Sequence, residues 1–107
     1  MNGYQIKFFM EQDRKHRGRP LCEWLLGAAK QLKLHGATVQ TATEGFGRSG
    51  RIHSAHFFEL ADQPVEFVTI VTDEEAQRLF DLLRTEQVQL FYVKTPVEFG
   101  TAGVPAT

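Results

Sequence analysis

A chain of 107 residues and 12.2 kDa fits one compact domain and leaves no room for two. Its 42% hydrophobic and 23% charged residues exclude a disordered chain, no apolar run approaches the ~20 residues of a membrane helix, and a single cysteine, Cys22, excludes a disulfide framework or cysteine-rich zinc site. The net charge of −1 hides an asymmetry: residues 1–53 hold nine Lys/Arg against four Asp/Glu, residues 54–107 three against nine, which suits a bound anion or head-to-tail packing better than a long nucleic acid.

Tyr4, Ile6, Phe8 and Met10 alternate with Gln5, Lys7, Phe9 and Glu11, the period of a strand with one buried face. The run Asp13-Arg14-Lys15-His16-Arg17-Gly18-Arg19 reads as a cationic loop. Pro20 then suits a first helical turn, where its missing N–H has no partner to lose. Leu21, Leu25, Ala28 and Leu32 recur at helical spacing, and Gly36 is placed to close that helix as a left-handed cap. Threonine-rich Ala37–Glu44 predicts a second strand. The glycines of Gly45-Phe46-Gly47-Arg48-Ser49-Gly50-Arg51 predict a loop, and Ile52 to Leu60 an extended return.

Ala61-Asp62-Gln63-Pro64 is a turn, and nearly all-apolar Val65–Val71 predicts a strand buried on both faces. Thr72-Asp73-Glu74-Glu75 is a capping box that opens a second helix with a stripe of Ala76, Leu79, Phe80 and Leu83. Leu90–Val97 is the last strand. Residues 1–99 are thus expected to form the domain, with 100–107 a flexible tail. The order is β-α-β-loop-β-α-β, an α+β, ferredoxin-like plan: an antiparallel sheet with two helices on one face. Phe9, Val68 and Ile70 point to the other face, with Phe57 and Phe91 as companions, which predicts a second subunit over it.

Gly36-Ala37-Thr38-Val39 followed by Glu44-Gly45-Phe46-Gly47-Arg48 resembles the nitrogen-regulatory PII superfamily. Asp13-Arg14, Gly18-Arg19-Pro20-Leu21 and Arg51-Ile52-His53 narrow the resemblance to the PII-like family catalogued as domain of unknown function 190. It runs from about Tyr4 to Val97 and implies a homotrimer with small-molecule sites in the clefts between subunits. It also implies sensing of an adenine nucleotide (AMP, ADP or ATP), and a loop at 45–54 that regulates a partner such as a membrane transporter or channel. Thr38 would lie near the adenine, with Gly45, Phe46, Gly47 and Arg48 near the phosphates. The junction Arg84–Gln89 has no glycine, so fewer phosphate contacts are expected there.

The residues themselves support an anion site of this kind. Gly45, Gly47 and Gly50 let backbone N–H groups approach an anion, and Arg48 and Arg51 can pair with it; Arg17 and Arg19 would supplement the charge. His53 and His56 point to opposite faces of an extended strand, so no metal site is expected, and Cys22 has no base beside it. An RNA-recognition module shares the strand order and a Gly-Phe-Gly, but Arg48-Ser49-Gly50 breaks its signature. An acylphosphatase-like enzyme needs an asparagine beside its arginine, and Asn2 is the only one. The expectation is a cytoplasmic, non-enzymatic binding protein.

Overall fold

The computed structural model describes residues 1–41 and 64–105 and the backbone of 44–46 and 52–54. In chain order the elements are β1 (Asn2–Glu11), a hairpin of β2 (Lys15–His16) and β3 (Arg19–Pro20), and α1 (Leu21–Gln31). They continue with β4 (Ala37–Thr41), β5 (Glu44–Phe46), β6 (Ile52–Ser54), β7 (Pro64–Val71), α2 (Asp73–Thr85) and β8 (Phe91–Glu98). The long strands make one sheet in the order β4-β7-β1-β8, every pair antiparallel. This is the ferredoxin-like split β-α-β arrangement expected from the order of elements.

Period two decides which side of β1 meets the helices. Ile6, Phe8 and Met10 are buried and join Leu21 and Leu25 of α1 and Leu79 and Leu83 of α2 in one core. Phe8 is its centre, with ring centroids 6.2 Å from Phe67, 5.9 Å from Phe80 and 6.4 Å from Tyr92. The opposite face carries Lys7, Phe9, Val68, Ile70, Phe91 and Val93, as the pairs Lys7↔Val68, Lys7↔Val93 and Phe9↔Phe91 require. Among the described residues no helix covers it: Phe91, packed 5.8 Å from Phe9, is 60% exposed. The reading of Val65–Val71 as buried on both faces is therefore corrected. Val65, Phe67, Thr69 and Val71 are buried while Glu66, Val68 and Ile70 are half-buried, because the described residues supply a layer to only one side.

Three boundaries also differ from expectation. Pro20 precedes α1 as its N-cap, at ψ 133°, because it pairs with Lys15 in the hairpin and must stay extended. The second strand stops at Thr41, and Glu44–Phe46 pairs instead with Ile52–Ser54, so Gly45 and Phe46 lie in a strand and not in the loop. The start of the extended return, Ile52–Ser54, is the second arm of this hairpin. The rest of the return, with the 61–63 turn segment and Phe57, lies outside the described residues. Gly36, finally, does not cap α1.

Lys33 takes the left-handed position, at φ 56°, while its N–H bonds Lys30 O and the Leu34 N–H bonds Ala29 O, both at 3.1 Å. Gln87, at φ 58°, closes α2 by the same paired bonds, to Arg84 and from Val88 to Leu83. This is the Schellman closure, and it puts Val88 into the core and packs half-buried Leu34 against it. A side chain at left-handed φ is strained where glycine is not. Lys33→Gly and Gln87→Gly should each raise stability by about 0.5–1 kcal/mol, the relief being partly offset by glycine's freedom in the unfolded chain. Denaturant midpoints would show it; a lower midpoint in both variants would refute it.

Candidate functional site

The cationic segment is built as a tight hairpin. His16 pairs with Arg19 across Arg17 and Gly18, whose φ values of 54° and 76° are those of a type I′ turn. Sequence reasoning missed it because arginine stands where asparagine or aspartate normally signals this turn. The turn aims Arg17 at the end of α2. Its Nε donates to Glu86 Oε1 at 2.8 Å and its Nη2 to Oε2 at 3.1 Å, while His16 Nε2 lies 2.9 Å from Oε1. His16 also packs edge-on to Trp24, with centroids 4.5 Å apart. Glu86 is the C-cap residue of α2, where the helix dipole disfavours a carboxylate. The hydrogen bonds from His16 and then Arg17 nonetheless hold its carboxyl below the usual range.

Beside this clamp an open cleft of about 260 Å³ lies between α1 and α2. Arg17, Arg19 and Glu86 line its charged side, and Trp24, Gly27 and Leu82 its apolar side. A second clasp joins the other end of α2 to the α1–β4 connection. Thr72 Oγ1 accepts from Glu75 N at 3.2 Å and Glu75 Oε1 from Thr72 N at 2.8 Å, the expected capping box. The same buried carboxylate also holds His35 Nδ1, at 3.0 Å. The contacts of His16 and Arg17 with Glu86, and of His35 with Glu75, each join the cation-rich half of the chain to the acid-rich half. The charge asymmetry is therefore partly matched within the chain, and Arg17 is already paired with a carboxylate. No local pattern could have shown pairings across 70 and 40 residues.

The expected site residues are not all brought together. Thr38 is exposed on β4 opposite Val68, on the sheet face without helices. Gly45 and Phe46 are paired with His53 and Ile52 in the β5–β6 hairpin. Arg17 and Arg19 share the cleft in the helical layer, so within one chain the sheet separates them from Thr38. Gly47, Arg48, Gly50, Arg51 and His56 lie outside the described residues. Among the described residues no helix is long and apolar enough to cross a membrane, and no group of three or more His, Cys, Asp or Glu side chains is placed to hold a metal.

Comparison with known proteins places this arrangement. The chain is 29% identical over 97 residues to a UPF0166 protein of Aquifex aeolicus (strain VF5), a match covering 82% of this chain and 92% of that one. Its fold matches CPII, a nitrogen regulatory PII-like protein from Thiomonas intermedia K12 whose solved structure is bound to ADP, AMP and bicarbonate. There the TM-score is 0.66 at 15% identity, over 94% of this chain and 91% of that one. It also matches a PII-like protein of Thermus thermophilus, with a TM-score of 0.60 at 20% identity over 91% and 86% of the two chains. The family profile of DUF190, described as Uncharacterized ACR, COG1993, matches residues 3–98. The chain belongs to the DUF190 family, and its fold is that of the PII-like proteins.

Proposed function

We propose that this chain is a PII-like regulatory protein that senses a small anion, an adenine nucleotide first among candidates, and acts by binding rather than by catalysis. One observation carries the reading. A PII-like fold presents Thr38 on β4 and then Gly45 and Phe46 on β5 of a short hairpin, directly before Gly47-Arg48 in the sequence, and CPII of the same fold is bound to ADP and AMP. In this reading residues 1–99 are the functional domain and 100–107 a tail. Glycine-flanked N–H groups of 45–50 with Arg48 and Arg51 hold the phosphates, and Thr38 the adenine. Arg19 supplements the charge only where a neighbouring subunit approaches the helical layer; Arg17 does so only on leaving Glu86. The loop at 45–54 is the surface offered to a regulated partner, a membrane transporter or channel, in the cytoplasm.

Calorimetric titration with AMP, ADP and ATP tests the ligand. Arg48→Ala should remove a charge-assisted hydrogen bond and weaken binding about 10- to 150-fold, with folding nearly unchanged. With no glycine in Arg84–Gln89, AMP or ADP should compete well with ATP. Equal affinities for both proteins, or no heat at millimolar nucleotide, would overturn the assignment.

The same reading makes the molecule a homotrimer, with Phe9, Val68, Ile70, Phe91 and Val93 covered by neighbouring copies. Apolar side chains on a sheet face that the described residues leave uncovered supply the driving force. Sedimentation equilibrium should return three times the 12.2 kDa chain mass. A single species at the chain mass across micromolar concentrations would sink the trimer.

A further inference from the structure

We propose that the cleft between α1 and α2 is a second ligand site, selective for a small organic monocarboxylate with an apolar body. It lies in the helical layer, across the sheet from Thr38, and does not depend on nucleotide binding. Charge selects the ligand class. Arg17 and Glu86 neutralise one another through their two-point pairing. Arg19 makes no ion pair among the described residues, which leaves the cleft one unmatched positive charge. A guanidinium fork matches a carboxylate in plane and spacing, and one unmatched positive charge balances one negative charge rather than two. A monoanion therefore fits better than phosphate.

Shape selects the body. Gly27 sits inside α1, where glycine weakens a helix, yet a Cβ there would meet nothing within 4 Å. Its φ is not left-handed, so among the described residues neither packing nor backbone conformation calls for glycine. What the glycine leaves is open room above the helix, in the cleft that Ala28, Leu82 and Trp24 also line. The cleft, about 260 Å³ and open to solvent on one side, has room for a small molecule.

Trp24 is the only tryptophan, so its fluorescence reports on the cleft directly. Titrating the full chain with benzoate should give a saturable change with a Kd on the order of a millimolar, as expected for so small a ligand. Benzamide, its neutral counterpart, and inorganic phosphate should bind at least about tenfold more weakly. Arg19→Gln should cost benzoate a similar factor. Gly27→Leu should abolish the response while raising the melting temperature, since leucine favours the helix and fills the space. A response that never saturates, an unchanged benzoate Kd in either variant, or phosphate or benzamide binding as tightly as benzoate would overturn the site. Nucleotide titration of Arg48→Ala reads the other site and is unaffected by any of these outcomes.

Discussion

Phe8→Ala is expected to lower the unfolding free energy by about 4 kcal/mol, a large part of what a domain of this size has in hand. Phe8 is fully buried between the sheet and both helices, and three aromatic rings lean on it. Its deletion leaves a cavity that Phe67, Phe80 and Tyr92 cannot close without leaving their own positions. Phe9 makes the useful comparison. It is the next residue on the same strand, but it points to the sheet face without helices, where its ring meets the exposed Phe91. Phe9→Ala should cost the isolated chain far less, about 1 kcal/mol, and act chiefly on association. Urea unfolding of the two variants, with sedimentation alongside, would separate the effects. Similar losses of stability for both would contradict the two-faced sheet on which the trimer proposal rests.

What could be read from the sequence is what depends on near neighbours. The alternation of β1, the stripe of α2 and its capping box are local patterns with single physical solutions, and each stands as expected. The misreadings arose where a residue type is only one of several means to a conformation. Glycine is the usual left-handed cap, so Gly36 drew the end of α1, but Lys33 and Gln87 tolerate the same φ once Val88 is drawn into the core and Leu34 packed against it. A nearly all-apolar run does not say whether both its faces are covered, and in Val65–Val71 the pleat separates them. The candidate site was legible as composition, glycines and arginines around residues 45–51. The clamp of His16 and Arg17 on Glu86 was not, because it exists only after α2 has been laid beside α1 over the sheet. Sequence reasoning accordingly overcounted the cations free to meet an anion.

Glu75→Ala is expected to cost about 2–4 kcal/mol, more than an ordinary loss of a helix cap. The carboxylate does two things from one buried position. It closes the capping box at Thr72, and it holds His35, whose ring packs 5.5 Å from Phe99. Phe99 is in turn tied to the start of β1, its N–H and C=O bonding Met1 O and the Met1 amine, both at 2.8 Å. Alanine would leave the Thr72 N–H without its partner and release the α1–β4 connection together. Glu75→Gln separates charge from shape, since its amide oxygen can still accept the Thr72 N–H. Burial pushes the Glu75 carboxyl up, but the Thr72 amide, His35 and the Thr72 hydroxyl outweigh it and bring it below its ordinary value of 4.5. A carboxyl lowered in the folded state stabilises the fold at pH above its unfolded value and loses that contribution as pH falls through its folded value. The stability gap between wild type and Glu75→Gln should therefore be full at neutral pH and shrink below about pH 4.5. Glu86, lowered in the same direction, is present in both proteins and drops out of the difference. Denaturant unfolding from pH 7 to 3 measures it: a gap that stays constant or widens on acidification would show that Glu75 does not act through its charge.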